Sequence, residues 1–152
     1  MEIAVDDLTG PEIAAFLAEH VTEMRAMSPL ESMHALDLAA LREPGITFWS
    51  VYDGGQLVGC GAIKKLDDAH AEVKSMRAAS DRKRSGIASM MLEHIVREAR
   101  DRGFSRLSLE TGSSPDFEPA RKLYEKFGFE YCGPFAGYQP DPHSVFMTRQ
   151  LT

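Results

Sequence analysis

The chain has 152 residues, 43% of them hydrophobic and 26% charged, with a formal net charge of −6, which suits one globular domain over residues 1–152 with a real core. No apolar run approaches the ~20 residues that span a bilayer, and the acidic N-terminus, MEIAVDDLTG, lacks the basic and apolar regions of a signal peptide. Only Cys60 and Cys132 occur, so buried free thiols in a cytoplasmic protein are expected rather than a disulfide framework.

The charge is uneven. Residues 77–106 carry eight basic and four acidic side chains, a local +4, which leaves −10 on the rest. An acidic body argues against a nucleic-acid partner. The basic island fits one small polyanionic ligand, and the acidic remainder mildly favours a cationic amine substrate. The five histidines show no metal-ligand spacing, so no metal is expected.

In chain order, Glu2 to Val5 predicts a short strand. Thr9-Gly10-Pro11-Glu12 predicts a capping box with Pro in the first turn. Ile13, Phe16, Leu17, His20, Val21 and Met24 then make a helical apolar stripe, with His20 packed on it. Ser28-Pro29-Leu30-Glu31 fits a second helix start, with Met33, Leu36, Ala40 and Leu41 as its buried side. Gly45 to Leu66 predicts a hairpin: Ile46 to Tyr52, a turn at Asp53-Gly54-Gly55-Gln56, and Leu57 to Leu66. Phe48 and Trp49 point to opposite faces, one for the core and one for a pocket. Gly59-Cys60-Gly61-Ala62 predicts close backbone approach or a bulge.

Ala71 to Ala78 predicts the central strand. Alternation places Glu72, Lys74, Met76 and Ala78 on one face and Val73, Ser75 and Arg77 on the other. A basic turn, Asp81 to Gly86, follows. A long helix comes next, its apolar stripe made by Ala88, Met91, Leu92, Ile95, Val96 and Ala99. Gly103 sits at its cap. A helix N-terminus presents unpaired N–H groups and a positive dipole end. With Gly86 admitting close approach and Arg82, Lys83 and Arg84 adding charge, the turn reads either as a phosphate site or as a solvated turn. Phe104 to Thr111 predicts a strand parallel to the central one. Asp116 fits an N-cap for a last helix with Phe117, Ala120, Leu123, Tyr124 and Phe127 inward and Gly128 at its end. Phe129 to Cys132 is a strand, Gly133 to His143 a Pro-rich loop, and Ser144 to Leu151 a final strand that closes the sheet.

The segment Lys83-Arg84-Ser85-Gly86-Ile87-Ala88 resembles the (Gln/Arg)-x-x-Gly-x-(Gly/Ala) pyrophosphate loop of the GNAT superfamily of N-acetyltransferases. Ala120-Arg121-Lys122-Leu123-Tyr124-Glu125-Lys126-Phe127-Gly128-Phe129 resembles that superfamily's A-x-x-LYEKxGF helix end. The two motifs occur in the right order and separation. Two positions depart from the pattern: Lys83 stands where Gln or Arg is usual, and Phe117 stands where an Asn is often found.

The resemblance implies an α/β (α+β) domain with a mixed sheet of about six to seven strands and about four helices. It implies acetyl transfer from acetyl-CoA to an amine by direct attack in a ternary complex, without a metal. The pyrophosphate would rest on Lys83, Arg84, Ser85, Gly86, Ile87 and Ala88. Pantetheine would lie along Met76 and Ala78, where the central strand splays from its neighbour. Glu72 is the first candidate for general base, Glu110 the second and His34 the third, while a structural pair of Glu72 with Lys74 is the competing reading. Tyr124 is the candidate acid. Glu31 and His34 are candidates for the acceptor wall, with Tyr138 in the loop opposite. The expected partner is a small-molecule amine. A protein acetyltransferase and a non-catalytic acyl-CoA-binding module are the alternatives, and edge strands near the C-terminus would allow a homodimer.

Overall fold

The turn at Asp53-Gly54-Gly55-Gln56 shows how local chemistry sets the scaffold. Gly54 and Gly55 have φ of 57° and 83°, the left-handed pair that a two-residue hairpin turn requires. It joins β2 (Ile46–Asp53) to β3 (Gln56–Lys65) in antiparallel register, Asp53 opposite Gln56. The computed structural model describes residues 1–27, 38–82 and 85–151. Lys83, Arg84 and the proposed helix start at Ser28, with Glu31 and His34, lie outside the described residues.

The other elements are β1 (Glu2–Val5), α1 (Pro11–Met27), α2 (Leu38–Leu41), β4 (His70–Ala78), α3 (Ile87–Asp101), β5 (Arg106–Gly112), α4 (Glu118–Lys126), β6 (Glu130–Cys132) and β7 (Ser144–Gln150). The strands form a seven-stranded mixed sheet in the order β1-β2-β3-β4-β5-β7-β6. Only β4 and β5 pair in parallel. The chain's last strand does not close the sheet. It is inserted between β5 and β6, which leaves β1 and β6 as the edges.

Each face of the sheet has its own core. On one, α3 turns Ile87, Met91, Leu92, Ile95, Val96 and Ala99 inward onto Trp49, Val58, Val73, Leu107, Leu109 and Met147. Ile87 takes the place expected for Ala88, which is half-buried. On the other, Ile13, Phe16 and Leu17 of α1 and Leu41 of α2 cover Phe48, Leu57, Cys60 and Ala62. Phe48 and Trp49 do point to opposite faces, but both are core, each 2% exposed. Large side chains buried this fully contribute roughly 1.5–3 kcal/mol each.

Other details differ from expectation for local reasons. Thr9 forms no capping box: its hydroxyl and N–H both bond the Asp7 carboxylate, at 2.7 and 3.0 Å. His20 is half-exposed rather than packed. Asp116 lies inside a short 3-10 turn (Pro115–Phe117), so Phe117 occupies the N-cap of α4. Both cysteines are free, but only Cys60 is buried, and Cys132 is half-exposed.

Gly59 and Gly61 are small for want of space. A Cβ on Gly59 would lie 2.5 Å from Ile87 Cγ2, and one on Gly61 2.7 Å from Met91 Cγ. α3 therefore rides directly on the backbone of β3.

Candidate active site

The site begins where β4 and β5 part. Their parallel ladder holds only three pairs: His70 with Arg106, Ala71 with Leu107, and Glu72 with Ser108. Beyond Glu72, β4 pairs only with β3, as far as Ala78 opposite Gly59. Beyond Ser108, β5 continues with β7, as far as Gly112 opposite Ser144. A strand uses alternate backbone groups toward each neighbour. The facing edges of 73–78 and 109–112 therefore lack a strand partner, and a wedge opens with Glu72 and Ser108 at its apex.

A β-bulge accompanies the parting. The β3–β4 register shifts between Cys60 and Ala62, and Ser75 sits at φ 56°. This residue out of step breaks the simple alternation expected for β4. Met76 and Ala78 do not share a face with Glu72 and Lys74; they pack on the α3 side. Arg77 faces α1, where its guanidinium donates to Phe16 O at 2.7 Å and to Glu23 Oε1 at 2.9 Å.

At the far end of this edge lies the turn before α3. Gly86 is the helix N-cap, at φ 85° and ψ 4°, with nothing within 4 Å of a would-be Cβ. The bond from Met90 N–H to Gly86 O, at 2.9 Å, opens the helical ladder. The first-turn N–H groups precede it and point out of the helix end, an anion-holding arrangement. Two members of the turn are committed elsewhere. Ser85 N–H donates to Arg82 O at a long 3.3 Å, and its hydroxyl bonds the same carbonyl. Arg82 is not mobile charge: its guanidinium bonds Asp53 Oδ2 at 2.8 Å, and that bond holds the Asp53 carboxyl below the usual range. Arg82 thus ties the turn to the β2–β3 hairpin.

At the apex, Glu72 is 3% exposed. Its Oε2 accepts from Tyr138 Oη at 2.5 Å and from Lys74 Nζ at 3.0 Å, and Lys74 Nζ also donates to Tyr138 Oη at 3.2 Å. The Glu72–Lys74 pair anticipated as a structural reading is therefore present. Oε1 of Glu72 makes no hydrogen bond among the described residues. The loop residues Phe135 and Tyr138 stack edge-on at 5.2 Å and pack against Phe146 of β7 at 5.9 and 5.4 Å.

Beneath them runs a polar chain. His70 Nε2 lies 2.7 Å from Ser108 Oγ, Ser108 Oγ 2.9 Å from Thr148 Oγ1, and Arg106 donates to Thr148 Oγ1 at 2.9 Å. Burial pushes the His70 ring pKa down, so it stays neutral near pH 7. Tyr124 of α4 is 7% exposed, its ring edge-on to Phe129 at 5.8 Å. Burial and then the Glu110 carboxylate raise its phenol. Tyr138 is raised by burial and then by Glu72, with Glu110 contributing less.

Glu110 stands near enough to Tyr124, and Glu72 and Glu110 to Tyr138, for their carboxylates to raise the two phenols, while Ser85 to Ala88 stand at the start of α3. Met76 and Ala78 contribute backbone at the wedge but send their side chains into the core. Tyr138 and His70 belong to the centre without having been singled out for chemistry. Tyr138 sits in an irregular loop 66 residues from Glu72, and no periodicity signals such a contact. Among the described residues, no cluster of three His, Cys, Asp or Glu could hold a metal, and no helix is long and apolar enough to cross a membrane.

The chain thus presents an open wedge between two strands, a buried carboxylate at its apex and a Gly-capped helix start. The chain belongs to the acetyltransferase (GNAT) family, whose model matches residues 13–129. It is 57% identical to the uncharacterized N-acetyltransferase YsnE of Bacillus subtilis over 99% of this chain and 100% of that protein. It is 52% identical to the uncharacterized N-acetyltransferase YedL of Escherichia coli over 98% of this chain and 94% of that protein. A Klebsiella pneumoniae structure described as a candidate acyl-CoA N-acyltransferase superposes with a TM-score of 0.81 at 27% identity, covering 99% of this chain and 97% of that one. The protein is accordingly an N-acetyltransferase of the GNAT type with the expected mixed α/β fold.

Proposed function

We propose that the protein transfers the acetyl group of acetyl-CoA to the primary amine of a small molecule by direct attack in a ternary complex. The observation that carries this reading is the parting of β4 and β5 directly after Glu72 and Ser108, with a buried carboxylate at the apex and a Gly-capped helix start at the outer end. The acyl-CoA activity ascribed to the Klebsiella structure supports the choice of donor.

In this reading the pyrophosphate rests on the N–H groups around Gly86 to Ala88, with the side chains of Lys83 and Arg84 assisting. Each charge-assisted bond is worth roughly 1.5–3 kcal/mol. Ser85 N–H joins by exchanging its long bond to Arg82 O. The pantetheine adds along the free edge of β4 near Met76 and Ala78.

The amine nitrogen attacks the thioester carbonyl carbon. A new C–N bond forms, the C–S bond breaks, and the sulfur leaves as thiolate. The proton lost by nitrogen goes to a carboxylate, with Glu72 Oε1 placed to accept it directly or through water, and Glu110 the alternative. Tyr124 faces the departing sulfur. Its raised phenol stays protonated at neutral pH, and complete transfer to a thiolate, whose acid titrates near ~8.5, is uphill. Tyr124 therefore acts chiefly as a hydrogen-bond donor to the developing charge. The small-molecule preference rests on the wall that Phe135, Tyr138 and Phe146 raise beside Glu72, which narrows the acceptor side. The β6 edge, with Tyr131 54% exposed, is the surface through which a second copy would pair.

The experiment is thiol release from acetyl-CoA with a panel of small amines and of peptides with lysine or free N-termini, for the wild type and Glu72→Gln. Turnover with small amines, reduced roughly 10²–10⁴-fold by the substitution, is expected. Turnover with peptides alone would replace the acceptor class. Full activity in Glu72→Gln would move the base role to Glu110.

A further inference from the structure

Strand β7 and the residue after it place Met147, Arg149 and Leu151 at alternate positions on the side of the sheet covered by α3 and α4. Met147 and Leu151 are buried in that core, and Leu107, across the ladder from Arg149, is fully buried too. An arginine thus occupies an inward-facing register position. Its stem runs past Gly128, with Nε 3.6 Å from where a Cβ on that glycine would stand. There it meets a groove of about 290 Å³ lined by Glu93, Val96, Arg97, Arg100, Phe127 and Arg149.

The charges in the groove do not cancel. Arg97 pairs with Glu93 at 3.8 Å. Arg100 gives its Nε to Leu151 O at 3.3 Å, with no carboxylate partner among the described residues. Arg149 makes no hydrogen bond or ion pair among the described residues. Burial, and then the like charge of Arg100 beside it, hold the Arg149 guanidinium below its ordinary range. Half-buried charges in proteins are normally paired, and one facing a second cation favours a bound anion between them. Val96 and Phe127 give the groove apolar surface. The site is remote from the pyrophosphate turn, since positions 97–100 lie ~15–20 Å along α3 from its start at Ile87.

We propose that this groove is a second binding site, for a small organic anion whose carboxylate or phosphate lies between Arg100 and Arg149 and whose apolar body rests on Val96 and Phe127.

The test is titration calorimetry on the protein saturated with coenzyme A, so that the catalytic slot is filled, with phenyl phosphate, benzoate and inorganic phosphate as probes. Saturable binding of phenyl phosphate or benzoate is expected. Arg149→Met and Arg100→Gln should each weaken it by about tenfold or more, the loss of one charge-assisted contact. Arg97→Gln, whose charge is already paired, should change it less than about threefold. Arg149→Met should keep wild-type acetyl transfer in the absence of added anion. Arg100→Gln, at an exposed position, carries the comparison should Arg149→Met fail to fold. Absence of saturable binding by either organic anion, or equal affinity in wild type and Arg100→Gln, overturns the site. Equal affinity for inorganic phosphate and phenyl phosphate overturns the role of Val96 and Phe127.

Discussion

Gly59→Ala tests how the sheet holds the pyrophosphate turn. The new Cβ would stand 2.5 Å from Ile87 Cγ2 and 3.1 Å from Arg77 O, where ordinary contacts begin at 3.4 Å. Ile87 is the first residue of α3 and 1% exposed, so it cannot swing aside, and the helix start must rise by about 1 Å. Overpacking of this kind costs about 1–3 kcal/mol. For a domain of this size each kcal/mol lowers Tm by about 2–4 °C, giving a fall of about 2–12 °C. The same shift would lift the N–H groups of Gly86 to Ala88 away from the pyrophosphate proposed to rest on them, and displacements of this order cost up to about 10²-fold. The KM for acetyl-CoA should therefore rise by about tenfold or more, with kcat less affected. Differential scanning calorimetry and initial-rate kinetics read the two effects. Adding Ile87→Ala, which removes the clashing methyl, should give a double mutant more stable than the sum of the single changes. A Gly59→Ala protein with wild-type Tm and wild-type KM would refute the claim that β3 seats the turn.

Tyr124→Phe should fold normally and lose about 10–100-fold in kcat, one hydrogen bond to a developing charge; an unchanged kcat would remove Tyr124 from the chemistry. Burial pushes the Cys60 thiol up to about 12 and raises Cys132 less, so a thiol reagent at pH 8 should modify Cys132 in the native protein and both cysteines only after denaturation. Two modified thiols in the native state would contradict the packing around Cys60. Burial also depresses His70 and His94, and His94 Nε2 is buried without a hydrogen-bond partner among the described residues. The folded state then binds fewer protons than the unfolded state once pH drops below ~6.5. Their contribution is complete above that value and is lost as pH falls toward the folded values. Urea unfolding should show lower stability at pH 5.5 than at pH 7.5, and His94→Leu should flatten that slope.

Much of this was legible in the residues because the signals were local. The two glycines of the hairpin turn, the 3.6-residue stripe of α3 and the glycines after α3 and α4, Gly103 and Gly128 at φ 88°, act within a few positions of themselves. The register shift between Cys60 and Ala62 falls in the Gly59–Ala62 stretch expected to hold a close approach or a bulge, but that β4 takes up the extra residue at Ser75 was not legible. Nothing in Lys-Ser-Met-Arg forbids plain alternation, and the shift arises from tertiary contacts: Arg77 tied to α1, Met76 packed toward α3. Tyr138 was expected in the acceptor wall, but its bond to Glu72 escaped for the same reason. Its role is a contact between an irregular loop and a strand far away in sequence, set by the packing of Phe135 and Phe146. The insertion of β7 between β5 and β6 likewise depends on which edge stays open after β5 is placed, a property of the whole sheet.

The wedge follows from two ladders that disagree. β5 keeps an unbroken seven-pair register with β7, whereas β4 turns away with β3 through the Ser75 bulge. Neither strand can follow the other without giving up those pairs, so the opening is built into the sheet and needs no ligand to create it. Its two ends then carry opposite character: a helix start in a locally basic segment outside, and Glu72 and Glu110 within. In the proposed reading a donor with an anionic head and a neutral acyl tail would enter in one direction only, head at the turn and thioester at the carboxylates. An amine arriving as a cation would be drawn to the same carboxylates that take its proton before it attacks. In that reading orientation and deprotonation follow from a single asymmetry of charge along the slot, and replacing Glu72 and Glu110 together should weaken both further than Glu72→Gln does alone.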